Sequence, residues 1–348
     1  MNAPLIHRRI FRAVLLFVAL VLLAQPAQAA LVKIGVFSPE GFEAGMHRWQ
    51  PTANYLSRQH SKWHFQILPY QNLDELEQDA LRGKFDFVLT QPASFVRLQQ
   101  QAGLLRLLTR RQSNNDLTYT RSAVVIFTRA DNQHLRQISD LGQSRLITTT
   151  QYDYSSWQLV QLELLRRQLD PDDLQYRATF AGDAPRVLAG VMGGEYPVGA
   201  MAARDFDRFL REGRITPEAV HILDARQSAD FPFRYSGNLY PEWPLGALPD
   251  TPLQLREAVV MSLQSLPERH DALQAGEYAG WAQANNYHTV RPLLEKSLTR
   301  HVVERQLSVA NLWLSQHRLS LLVSLVFTLT VWLLLRLFSS TRPVLSRR

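Results

Sequence analysis

Val32-Lys33-Ile34-Gly35-Val36-Phe37 is a short, largely apolar run rich in β-branched residues, and the turn-forming stretch Ser38-Pro39-Glu40-Gly41 follows it at once. Such a run predicts a buried strand. A helix is predicted next, through Trp49, Ala53, Tyr55 and Leu56, then a strand over 64–68, a helix over 73–82 and a strand Phe85-Asp86-Phe87-Val88-Leu89. Thr90-Gln91-Pro92 then opens another helix. Strands alternating with helices point to an α/β lobe with a largely parallel sheet.

The pattern repeats further along. Residues 122–128 read as a strand crossing into a second lobe, followed by a strand over 145–149, a helix over 155–168, a strand over 176–180, a helix over 185–193 and a strand over 197–201. Residues 220–240 supply a returning segment, and the helix over 253–266 with the chain to about 298 packs back onto the first lobe. The expected organisation is a bilobal domain over 30–298. Lobe one takes about 30–121 and 240–298, lobe two about 122–239. Crossing strands between two lobes create a cleft, and ligands of open α/β sheets bind beyond the carboxyl ends of the strands.

The formal charge of +7 is unevenly placed. Three of the 38 basic side chains lie in residues 1–30 and five in 317–348, neither of which holds an acid, so the body carries 30 basic against 31 acidic side chains. A neutral body leaves a nucleic-acid partner without an electrostatic footprint. With no cysteine in 348 residues, disulfides, thiol nucleophiles and cysteine metal sites are excluded.

The charged ends belong to membrane-directed segments. His7-Arg8-Arg9-Ile10-Phe11-Arg12 precedes an apolar run from Ala13 to Ala24 and small residues at Ala27 and Ala29, the order of a secretory signal peptide over 1–29. An uncleaved anchor is the alternative. Residues 319–338 are apolar apart from Ser320, Ser324, Thr328, Thr330 and Arg336, enough at 1.5 Å per residue for a transmembrane helix across a core of roughly 30 Å. Arg342, Arg347 and Arg348 follow in a tail over 339–348, which places the C-terminus in the cytoplasm and the body in the periplasm, on a single-pass cytoplasmic (inner) membrane anchor. Over 299–318 the chain is polar and helical, with Val303, Leu307, Ala310 and Leu314 forming an apolar seam. That seam can pair two copies into a homodimer or meet another protein, and it can equally lie against the domain.

Candidate chemistry sits where strands end and helices begin, because free N–H groups and the helix dipole favour anions there. Three such loops are expected to face the cleft. They offer Ser38 and Glu40 after the first strand, Thr90 and Gln91 after the third, and Thr149, Tyr152, Tyr154, Ser155 and Ser156 after the first strand of lobe two. Hydroxyls, amides and aromatic rings suit a small anion or polar solute, whereas Ser, Thr or Asp at a helix start also caps without any ligand. Enzymatic signatures are missing: the ten histidines show no H-E-x-x-H spacing, no serine lies in G-x-S-x-G, and Gly193-Gly194 is outside any phosphate-binding loop. His221, His270 and His288 read as surface or packed histidines, and Asp86, Asp153 and Glu242 as single carboxylates without a partner. No catalytic residue, metal or cofactor is assigned.

Six segments in order carry a family resemblance: Val32-Lys33-Ile34-Gly35-Val36, the Trp49-Gln50-Pro51-Thr52-Ala53-Asn54-Tyr55-Leu56 helix start, Phe85 to Pro92, Val125-Ile126-Phe127-Thr128-Arg129-Ala130-Asp131, Ser155-Ser156-Trp157-Gln158, and Leu239-Tyr240-Pro241-Glu242-Trp243-Pro244. Over roughly 31–298 the chain resembles the type II periplasmic-binding-protein fold in its phosphate/phosphite/phosphonate-binding branch, and within it the sensor domain of tetrathionate-sensing histidine kinases. The resemblance implies that Thr90, Gln91, Tyr154, Ser155 and Ser156 lie at the ligand. It also has departures. Gly182-Asp183-Ala184-Pro185 stands where relatives often have Gly-Ser/Thr-His-Asp, Pro197 where an acid is expected, and Phe95 where phosphonate binders tend to place a tyrosine.

The function expected from these features is a membrane-anchored periplasmic solute-binding sensor, passing ligand-induced lobe closure to a membrane partner such as a histidine kinase, since no kinase core follows the membrane helix in these residues. The alternatives are the substrate-binding component of an ABC importer, working with a permease, and a non-binding assembly or interaction protein.

Overall fold

The computed structural model describes residues 29–115, 117–142, 144–295 and Trp332. The chain divides into one unit over 1–293 and another over 294–348, and all elements below belong to the first. The expected signal peptide, juxtamembrane helix, transmembrane helix and tail lie outside the described residues, Ala29 and Trp332 apart. Among the described residues no helix is long and apolar enough to cross a membrane.

The first lobe begins β1 (Ala30–Phe37), α1 (Phe42–Gln59), β2 (Trp63–Tyr70), α2 (Leu73–Leu81), β3 (Phe87–Leu89), α3 (Pro92–Ala102), β4 (Leu105–Asn114) and β5 (Leu117–Tyr119). Then β6 (Arg121–Ser122) leads out of it. The second lobe holds β7 (Val124–Arg129), β8 (Leu146–Thr148), α4 (Leu159–Arg166), α5 (Pro171–Gln175), β9 (Ala178–Phe180), α6 (Ala184–Met192), β10 (Val198–Ala202), α7 (Ala203–Arg211), β11 (Val220–Ile222), β12 (Ala225–Ser228) and β13 (Phe231–Ser236). The chain returns through β14 (Tyr240–Pro241) and completes lobe one with β15 (Pro244–Ala247), α8 (Leu253–Gln264), α9 (Asp271–Gly276) and β16 (Gly280–Gln283).

Each lobe has its own sheet and its own core. Lobe one orders its strands β16-β4-β15-β3-β1-β2 with β5 beside β4, and lobe two β11-β7-β10-β8-β9. On β1, Val32, Ile34 and Val36 alternate onto one face and meet Trp49, Ala53 and Leu56 of α1. In lobe two, Val125, Phe127, Ile147 and Met201 pack with Val187 and Val191 of α6 and Phe206 and Phe209 of α7. Each of the Val, Ile, Leu, Phe and Met side chains among these contributes roughly 1.5–3 kcal/mol when fully buried.

Three sequence expectations change. The lobe-one sheet is mixed rather than largely parallel: β2, β1 and β3 run parallel, but β15 lies antiparallel to both β3 and β4, and β16 antiparallel to β4. Strand β4, absent from the sequence-based element list, is the longest among the described residues. Helix α1 starts at Phe42, so Pro51 lies inside it instead of near its start. Proline favours the first helical turn, yet Trp49, Thr52 and Ala53 are buried around it, and that packing carries the helix through.

Between the lobes the outgoing and returning segments pair as antiparallel β6 and β14, Ser122 against Tyr240 and Arg121 against Pro241. The returning segment is fixed by Glu163 of α4, whose fully buried carboxylate accepts from Asn238 N at 3.0 Å, Asn238 Nδ2 at 3.0 Å and Tyr240 Oη at 2.5 Å, with Arg167 Nη1 at 2.6 Å as counter-charge. Gly237 precedes this contact at φ +72°, and a methyl group there would sit 2.1 Å from Glu163 Oε2. Gly237→Ala should therefore lose clearly more stability in denaturant titrations than Gly213→Ala. At Gly213 φ is +68° but an added methyl would meet nothing within 4 Å beyond its chain neighbours, so only the left-handed conformation is penalised, by roughly 1–2 kcal/mol.

Candidate functional site

Parallel strands aim their carboxyl ends in one direction, so the ends of β1, β3 and β4 in lobe one face those of β8 and β10 in lobe two. Between them is a cleft of about 430 Å³, within the range of small-ligand sites. Lobe one supplies Gln91 and Arg110 to it, lobe two Thr149, Tyr152, Asp153 and Arg204, and Trp243 closes one side on the return.

The structure brings most of the sequence-selected side chains together here. Gln91, Thr149, Tyr152, Tyr154 and Ser155 line the cleft, and Glu40 stands at its rim, paired with Arg48 at 3.4 Å. Ser38, Thr90 and Ser156 lie behind the surface. Ser38 is buried and donates to Gly41 O at 2.9 Å, closing the turn before α1. Ser156, fully buried, bonds Thr149 Oγ1 at 2.5 Å. The fully buried Thr90 hydroxyl has no hydrogen-bond partner among the described residues.

Two side chains on the cleft surface also join the chain to itself. Gln91 donates to Tyr152 O at 2.6 Å and accepts from Gln158 Nε2 at 2.9 Å, both across the lobe boundary. Tyr154 is buried with its hydroxyl donating to Pro241 O of β14 at 2.9 Å, and burial pushes that hydroxyl well above the usual tyrosine range. Tyr152, in contrast, is 53% exposed and presents its ring to the open space.

The start of the helical turn Tyr154–Gln158, which leads directly into α4, is already occupied by a negative group. Asp153 Oδ1 accepts from Ser155 N at 3.0 Å and Oδ2 from the Thr149 hydroxyl at 2.7 Å, so its carboxylate takes the free N–H that an external anion would use. Desolvation raises the carboxyl above the ordinary aspartate range, while the Thr149, Ser156 and Ser155 hydrogen bonds act in the opposite sense. The departures at Asp183 and Ala184 also line this wall, and Asp183 caps α6 by accepting from Arg186 N at 2.9 Å.

Sequence reasoning missed the cleft's cations. Arg110, in the middle of β4, is held by Glu242 at 2.8 Å and lies 5.1 Å from the Trp243 ring centre. Arg204 is the second residue of α7, directly after β10, and Arg48 of α1 pairs with Glu40 and Glu277. The signal was available: the strand-end rule that selected three loops, applied to β10, points at Ala203-Arg204. Among the described residues no group of three or more His, Asp or Glu side chains converges as a metal site.

Known proteins resemble this architecture. A family model described as "ABC transporter, phosphonate, periplasmic substrate-binding protein" matches residues 34–289. The tetrathionate sensor histidine kinase TtrS of Salmonella typhimurium is 28% identical over 337 residues, 93% of this chain and 54% of that protein, so the chain spans about half the length of this curated relative. XAC2383 from Xanthomonas citri, solved bound to chloride ion, has a TM-score of 0.58 at 19% identity, covering 79% of this chain and 99% of that one. PhnD1 from Prochlorococcus marinus, solved in complex with methylphosphonate, gives 0.55 at 14%, covering 76% and 98%. These structures share the two-lobed α/β fold.

The raised Asp153 carboxyl sets a pH dependence. A group that binds its proton more tightly when folded adds stability that is complete below its unfolded pKa and is lost as pH rises through the folded value. Asparagine caps as well as aspartate and does not titrate. Asp153→Asn should therefore melt above the unsubstituted protein at neutral pH, with the gap narrowing as pH falls toward the ordinary carboxylate range; a gap that widens on acidification would contradict the burial of this group.

Proposed function

Because the chain belongs to the family of periplasmic substrate-binding proteins of the phosphonate ABC-transporter type, we propose that it is a membrane-anchored sensor whose lobes close on a small oxyanion or polar solute. The observation that carries this reading is the cleft of about 430 Å³ between two separately cored lobes joined by the paired crossing strands β6 and β14. Such a joint permits rotation of the lobes while each core stays intact. The domain's family is one of solute binders and not of enzymes.

Gln91, Thr149, Tyr152, Tyr154 and Ser155 contact the solute in this proposal, Glu40 guards the rim, Ser38 and Ser156 hold their loops in place, and Thr90 lies buried behind the surface. Lobe one takes about 30–121 and 240–298 and lobe two about 122–239. The body is exported behind the 1–29 signal, and closure is carried through 299–318 and the 319–338 helix to a histidine kinase, with the 299–318 seam pairing two copies. Similarity to a sensor kinase over 93% of the chain, well beyond the substrate-binding match, favours sensing. The transporter description of the family supports a second reading, delivery of the solute to an ABC permease, in which the membrane helix is only a tether. Exchanging 319–338 for a generic apolar helix would spare delivery and abolish signalling.

The test is thermal unfolding of the purified full chain against tetrathionate, thiosulfate, methylphosphonate, phosphate and small organic acids. One compound at 100 times its dissociation constant should stabilise the protein by roughly 2.7 kcal/mol, and Gln91→Ala should shrink the shift. A panel without any shift would sink the solute-binding reading and leave an assembly role.

A further inference from the structure

The cleft narrows into a side pocket of about 50 Å³, and Arg110, Gln112, Ser155 and Arg204 line both spaces. The pocket adds Arg121 and Ser122 of β6 and Glu242 to its wall. At about 10–15 Å³ per water, it has room for a few waters or for one tetrahedral oxyanion group.

Three guanidinium groups and one carboxylate border this small volume. Glu242 is committed, since its Oε2 accepts from Arg110 Nη2 at 2.8 Å, Arg110 Nε at 3.2 Å and Trp243 N at 3.1 Å. Arg121 and Arg204 have no carboxylate of the described residues within ion-pair distance. Asp205, adjacent in sequence to Arg204, is engaged by Arg208 at 3.2 Å. On the wide side of the cleft the balance is reversed: Arg48 is shared by Glu40 and Glu277, and Asp153 and Asp183 face the same space. Positive charge is therefore concentrated where the site is narrowest.

We propose that this arginine pocket at the hinge receives the anionic head of the ligand, a sulfonate- or phosphonate-like oxyanion group, while the remainder of the molecule occupies the wide cleft. The proposal rests on the solute-binding reading and names the chemistry of its ligand. Guanidinium groups bind such oxyanions through paired N–H donors. The three arginines belong to three different parts of the molecule: Arg110 to lobe one, Arg204 to lobe two and Arg121 to the crossing strand. An anion held by all three is bound more tightly in one lobe arrangement than in another, which is what closure requires.

Calorimetric titration of the full chain with methanesulfonate, methylphosphonate and tetrathionate, beside the neutral isostere dimethyl sulfone, tests this directly. The anions should bind, the sulfone should not, and affinity should fall as sodium chloride is raised. Arg204→Gln and Arg121→Gln should each weaken anion binding by on the order of tenfold or more, without lowering the melting temperature of the free protein, and Arg204→Lys should keep part of the affinity. Anion binding that is weakened by Gln91→Ala but untouched by both arginine changes would overturn the pocket and leave the solute-binding reading standing. Binding of neutral or cationic solutes alone would also overturn it. Failure of every solute, anionic, neutral or cationic, would remove both.

Discussion

A carboxylate with no solvent exposure sits behind the hinge. Glu163 gathers Arg167 from its own helix and Asn238 and Tyr240 from the returning chain, and Arg167 passes on to Asp224 at 2.5 Å. Removing Arg167 would leave the buried Glu163 carboxylate without its counter-charge, at a cost of about 3–5 kcal/mol. The set fixes where the chain re-enters lobe one, and so fixes β14 against β6. From that pairing follow the position of Glu242 beside Arg110, the hydroxyl contact of Tyr154 with Pro241, and the 2.9 Å bond between the hydroxyls of Ser122 and Ser155. The cleft is therefore built on an anchor lying outside it.

Gln91 gives the same cleft a second constraint. Its two amide bonds reach Tyr152 and Gln158 in the other lobe, so the lobes touch through the protein's own groups at the place proposed for the solute. A solute gains only what it offers beyond those bonds. With Asp153 occupying the helix start and acids around Arg48, the wide part of the cleft discourages a second negative charge. Concentrated cations and dispersed acids then orient an asymmetric molecule, head toward the hinge.

The parts of this design that were legible in sequence are those with strong local periodicity. β1, β2, α2, β3, α6 and β10 are recoverable because apolar runs alternate with turn residues, and the strand-end loops follow from that map. β4 was not legible. Its Leu-rich start is followed by Thr109, Arg110, Arg111 and Gln112, a polar stretch whose burial depends on β15 and β16, about 130 and 170 residues later. The polar character of Ser38, Thr90 and Ser156 was visible, but whether a hydroxyl faces a cleft or a turn is decided by packing that composition does not encode. Arg204 was hidden by the short interval between β10 and α7, which leaves no loop to attract notice.

The order of strands in lobe one has a consequence for how the chain is made. β15 lies between β3 and β4, yet it is synthesised after the whole of lobe two. Lobe two draws its sheet from one continuous stretch, with β8, β9 and β10 close in sequence, and it can fold as soon as that stretch is available. Until β15 arrives, β3 and β4 each expose an unpaired edge. The first-made half of the molecule is thus the last to be finished, and its unfinished sheet is the stage of biogenesis most open to mispairing and most in need of protection.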